Sequence, residues 1–315
     1  MNGTEVRSTM IPISGFSSGQ DTSLIIGMQT PDKLVYHYTP KSTALDFILK
    51  DRTLKFGSIS KTNDPKEKKQ WSFTPATNGG SDLTKVNAKD LSDGLSRALK
   101  QNTKVACFCR DQQPLSGDHI RDIFLRGWSK PRMWAQYASN HTGVCLVFDR
   151  QRLDEAVVRA FGFYSKVYRG EVRYVNRSIA YDWGADFTAH MDAIKQHGFD
   201  RYAEMHFHEF SRTLFFEKMQ DWRDESEFRW IVADNDAEDK FVNIAASLVG
   251  IIYGDETGPE AIQQMMGLTS DLPLLHMSLQ WKNSSPWYEF LNPLYSAANK
   301  WGKREDGESL SQRQP

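Results

Sequence analysis

The chain has 315 residues, 39% of them hydrophobic and 25% charged, which excludes fibrous and wholly disordered classes and allows a sizeable core. Lysine and arginine total 39 against 40 acidic residues, a net charge of −1, so no bulk charge marks a nucleic-acid or anionic-membrane surface. Three cysteines cannot make a disulfide framework, which favours a reducing, cytoplasmic setting.

Residues 1–31, rich in Ser, Thr and Gly, read as a flexible N-terminal extension with no secretory-signal pattern. Leu34–Thr39 (LVYHYT) predicts the first strand, closed by Pro40, and Ala44, Leu45, Ile48 and Leu49 follow at helical spacing. Thr53–Ser58 predicts a second strand, 74–83 a loop, 88–100 a helix and 104–109 a buried strand. Pro131 opens a helix carrying Met133, Trp134 and Tyr137. Residues 143–148 form a continuous apolar strand, 151–161 a helix and 167–175 a weakly alternating strand. A long helix is predicted over 200–219, with Ala203, Phe207, Phe210 and Leu214 on one face.

The remaining predicted strands are 227–232, Leu248–Tyr253 and 273–277, with a helix over 259–266 between the last two. The longest apolar stretch, 244–253, is about half a membrane span, so no membrane contact is expected. The charged segment 299–315 predicts a disordered tail. Strands and helices mix without strict alternation. The expectation is therefore an α+β fold, with one domain over 32–285 and a helical insertion around 150–218.

No phosphate-cradling glycine motif and no G-x-S-x-G elbow occurs. His206 and His208 are two apart on a predicted helix and diverge, and the cysteines are too few for a closed thiolate site, so no metal is expected. Four segments stand above background. Tyr36-His37-Tyr38-Thr39 places a histidine in an apolar strand, and Asn63-Asp64-Pro65-x-Glu67 makes an acidic turn. Met133-Trp134-x-x-Tyr137 pairs two aromatics on a helix. Trp222-x-x-Glu225-x-Glu227-x-Arg229 sets two carboxylates and a guanidinium on one face of a predicted strand. Each also has a bland reading: a backbone-bonded histidine, a solvated loop, core packing and a charged strand edge.

Taken in order, these segments resemble an uncharacterised prokaryotic family, a domain of unknown function. Its pattern runs Y-H-Y, L-x-F-[GS], N-D-P-x-E, C-F, M-W-x-x-Y, H-x-G, x-F-[DE], K-x-x-x-W-x-x-E-x-E-x-R and I-x-x-G. The matching residues here are 36–38, 54–57, 63–67, 107–108, 133–137, 141–149, 218–229 and 251–254. The arrangement is in turn similar to the ADP-ribosyltransferase superfamily. One departure is that Tyr137 stands on a predicted helix where that superfamily uses a strand.

That resemblance implies a mixed, mostly antiparallel split sheet with flanking helices, and NAD+ as substrate without a metal. It implies catalytic roles for Glu227 and Glu225, and NAD+-binding roles for His37, Tyr38, Thr39, Trp134 and Tyr137. Arg229, Asp64 and Glu67 would support them. Cleaving the nicotinamide–ribose bond passes through an oxocarbenium-like state that a carboxylate stabilises. The expected activity is ADP-ribosyl transfer or NAD+ hydrolysis, as in a toxin or phage-defence effector. The acceptor, protein or nucleic acid, is left open, as is an antitoxin or defence-system partner. The competing expectations are a non-catalytic interaction module and a metal-dependent nuclease using Asp64, Glu67, Glu225 and Glu227.

Overall fold

The computed structural model describes residues 32–101, 103–162, 166–177, 184–233 and 238–291. The expected N-terminal extension and C-terminal tail lie outside them. In chain order the strands are β1 (Leu34–Thr39), β2 (Thr53–Ser58), β3 (Thr74–Ala76), β4 (Thr103–Cys109), β5 (Val144–Asp149), β6 (Lys166–Glu171) and β7 (Arg173–Tyr174). They continue as β8 (Thr188–His190), β9 (Glu217–Lys218), β10 (Glu227–Ala233), β11 (Lys240–Asn243), β12 (Leu248–Tyr253), β13 (Leu275–Lys282) and β14 (Ser285–Leu291).

Ten of these strands form one open, mostly antiparallel sheet flanked by several helices, an α+β architecture. Its order is β11-β2-β4-β1-β5-β12-β13-β14, with β10 and then β6 added on β4. Within it only β12 and β13 run parallel. The central strands β5 and β12 are buried almost throughout, which is why each reads as an unbroken apolar run. Leu153, Val157 and Phe161 of the helix Arg150–Phe161 close one cluster of the core. Helices Ala88–Gln101 and Phe199–Phe215 close another, through Leu91, Leu95, Leu99, Phe207 and Leu214.

The neighbours of β4 position the site. β10 covers one edge of β4 along its length, from Glu227 opposite Cys109 to Ala233 opposite Thr103. The other edge is shared. Cys109 pairs with Tyr36 of β1, whereas Lys104 and Val105 pair with Ser58 and Gly57 of β2. Between those contacts the sheet forks. There the Cys107 carbonyl takes a hydrogen bond from His37 Nδ1 at 3.1 Å.

Several elements differ from the sequence reading. The long helix stops at Phe215, and β9 follows. The expected loop 74–83 contains β3, and the strand over 167–175 is interrupted at Val172. The last expected strand runs on to Lys282 and returns as β14 through Asn283 and Ser284, whose φ values of 51° and 63° suit a type I′ hairpin. Glu225 is not on a strand. It ends the 3₁₀ turn Gln220–Glu225, and Ser226 at φ 44° kinks the chain into β10. Among the described residues no helix is long and apolar enough to cross a membrane.

Candidate functional site

The fork opens a cavity of about 270 Å³. Tyr36, His37 and Tyr38 line it from β1, and Cys107, Phe108 and Cys109 from β4. Lys61, Thr62, Asn63 and Glu67 come from the segment after β2, Met133 and Tyr137 from the helix Pro131–Tyr137. Lys218, Glu225 and Glu227 complete it from β9 and the entry to β10. Pockets for drug-sized ligands measure about 300–1,000 Å³, so this smaller cavity suits one ring and its sugar better than a whole dinucleotide.

The acidic turn is built by capping. Asp64 precedes Pro65 and accepts the Lys66 amide at 2.9 Å, the arrangement that Asp followed by Pro favours at a helix start. Buried Lys100 donates Nζ to the Glu67 carbonyl at 2.9 Å and to that of Lys69, closing the other end. Burial raises the Asp64 carboxyl above its ordinary range, against the Lys66 amide that lowers it.

Behind the cavity lies a chain of buried charges. Arg229, 0% exposed, donates Nε and Nη2 to the two oxygens of Glu227, both at 2.7 Å, and Nη1 to Glu67 and to the Phe215 carbonyl. The Lys218 ammonium lies 2.8 Å from Glu227 Oε2 and 2.8 Å from Glu225 Oε2. Glu225 Oε1 accepts the Tyr137 hydroxyl at 2.6 Å. Burial would push the Glu227 carboxyl up, but Arg229 and Lys218 outweigh it and hold the group down at about 2. Burial would likewise lower Lys218, yet the Glu227 charge prevails and raises it above the ordinary lysine range.

His37, Tyr137 and Cys107 are neutral at neutral pH. Burial lowers His37 below the ordinary histidine range. Since a carbonyl only accepts, the His37 proton sits on Nδ1, and Nε2 carries the lone pair. Burial and then Glu225 raise the Tyr137 hydroxyl, which stays a donor. Burial and then the Glu227 charge push the Cys107 thiol well up, so it is no thiolate nucleophile.

Of the residues singled out in the sequence, His37, Tyr38, Glu67, Tyr137, Glu225 and Glu227 line this one cavity. Arg229 stands directly behind, and Asp64 caps the turn that carries Glu67. Thr39 and Trp134 are elsewhere. Met133 and Tyr137 share a helix face at i, i+4, and Trp134, about 100° further round, enters the core. There it is 0% exposed, donates to the Trp128 carbonyl at 2.8 Å and meets Tyr38 edge to face. Thr39 ends β1 opposite Val144, with its carbonyl against Gly143.

Sequence reasoning missed Lys218, Asn63 and Cys107 as lining residues. Lys218 had a signal, since it opens the K-x-x-x-W-x-x-E motif, and its ammonium lies 5.2 Å from the Trp222 ring centre. Among the described residues, no three His, Cys, Asp or Glu side chains are placed to hold a metal ion.

No curated protein and no solved structure matches the chain. The segment that supplies Met133, Tyr137, Lys218, Glu225 and Glu227 does have a counterpart: residues 133–230 match the model of an uncharacterised family, described as protein of unknown function (DUF2971).

Proposed function

We propose that the fork cavity binds the nicotinamide–ribose half of NAD+ and that the protein transfers or hydrolyses ADP-ribose, as an ADP-ribosyltransferase-like enzyme. The observation that carries this reading is the meeting of a neutral histidine, three tyrosines and three carboxylates from distant segments in one small cavity at a fork in the sheet. His37 Nε2 would accept a ribose hydroxyl, and Tyr38 and Tyr137 would flank the nicotinamide ring. Glu227 is clamped by Arg229, so Glu225 is the carboxylate better able to face an oxocarbenium-like ribose. The electron pair of the glycosidic C–N bond leaves with nicotinamide. The acceptor oxygen then closes on the ribose carbon, giving its proton to Glu225.

Release of free nicotinamide by the purified protein, with and without nucleic acid or cell extract, tests the proposal. Glu225→Gln should lower that release by about 10²–10³-fold. No release under any of these conditions would sink it. As a toxin or defence effector the protein would arrest growth on expression, and Glu225→Gln would relieve the arrest.

The interaction-module reading has its own support. Glu67, Arg229, Glu227 and Lys218 form a bonded, buried network of the kind that specifies a fold without chemistry. The nuclease reading has less, because the Glu227 carboxylate is already bound by a guanidinium and an ammonium.

A further inference from the structure

We propose that Glu67 is a ligand contact, and that it makes the fork cavity prefer a cationic ring bearing a hydrogen-bond donor over its neutral and anionic counterparts. This rests on reading the cavity as a ligand site and on none of the chemistry assigned to it. Glu67 lines the cavity, is 1% exposed and gives Oε1 to Arg229. Its Oε2 has no hydrogen-bond partner among the described residues. Native proteins rarely leave a buried carboxylate oxygen without a donor, and a ligand N–H or O–H would supply one.

The charge around that oxygen points the same way. Within the bonded network Glu67, Glu225 and Glu227 face Lys218 and Arg229, three carboxylates against two cations. In the turn itself the Asp64 carboxylate offsets the Lys66 ammonium. Lys61 is also on the lining, but its side chain is 70% exposed and pairs with Asp239. Lys100 binds backbone carbonyls of the turn and lies outside the lining. His37 adds no charge, and the tyrosine rings favour a cation over an anion.

Three related pyridine probes separate the possibilities: 1-methylnicotinamide, a cation with a carboxamide donor; nicotinamide, its neutral unmethylated counterpart; and nicotinate, an anion without the donor. Calorimetric titration of the full chain at pH 7 should give about tenfold tighter binding of 1-methylnicotinamide than of nicotinamide, with nicotinate weakest. Glu67→Gln replaces part of the carboxylate by a donor and should erase that ranking. Should this variant fail to fold, the ranking on the unaltered protein decides by itself. Equal affinities, or no detectable binding of any probe, would overturn the assignment. Nicotinamide release from NAD+ without the ranking would overturn it and leave the glycosyl-transfer reading standing. The ranking without such release would support Glu67 as the contact and remove the chemistry.

Discussion

Arg229 has no water to fall back on, so its neighbours cannot be changed without consequence. Glu227→Gln would weaken the bidentate pair and leave two buried cations undercompensated, which typically costs about 3–5 kcal/mol. Glu225→Gln keeps a partner for Tyr137 and breaks only one contact of Lys218, so its midpoint in urea should stay nearer the parent protein's. Denaturation of the two variants side by side checks this order. Equal losses would mean that the carboxylates share one structural role. The low Glu227 value also sets a pH dependence. A carboxyl whose folded pKa lies below its unfolded value of about 4.3 contributes stability above that value and loses it as pH falls towards about 2. Unfolding free energy should therefore fall between roughly pH 4.5 and 2, and less steeply in Glu227→Gln.

Two glycines are required by close backbone packing. A side chain at Gly143 would collide with the Thr39 carbonyl, and one at Gly254 with the His141 carbonyl, where the loop after Tyr137 meets the end of β12. The contact is backbone on backbone, so nothing can move aside. Gly143→Ala and Gly254→Ala should each lower the melting temperature markedly, with little change in the cavity lining. The β13–β14 hairpin should respond in the opposite sense. Ser284 holds φ 63°, where glycine fits without steric cost, so Ser284→Gly should stabilise by about 0.5–1 kcal/mol, read as a rise in melting temperature. These elements were unevenly legible. β5 and β12 announced themselves as apolar runs, and β1 and β10 by their boundaries. β14 escaped because Trp287 and Glu289 are exposed and its turn reads Asn-Ser instead of the stronger Asn-Gly signal. The αL kink at Ser226 has no residue signature, which is why Glu225 was placed on the strand.

For the molecule as a whole, the sequence carried the mixed fold class and most of the cavity, since a histidine, a tyrosine pair and two glutamates departed from the apolar character of their elements. It did not carry which aromatic faces inward, because Met133, Trp134 and Tyr137 differ only in helix phase. Trp134→Ala should cost about 3–5 kcal/mol and lower the yield of folded protein before it alters the cavity. A stable, fully folded Trp134→Ala with altered ligand binding would contradict that placement. The network behind the cavity joins Glu67 to Arg229, partners 162 residues apart in sequence. Ribosomes add about 5–20 residues per second, so roughly 10–30 s separate the emergence of the two partners. Until then the acidic turn has no guanidinium and the β10 edge of β4 is bare. The nascent chain thus has no complete network until β10 has emerged, and a product truncated before β10 would lack both Glu227 and Arg229.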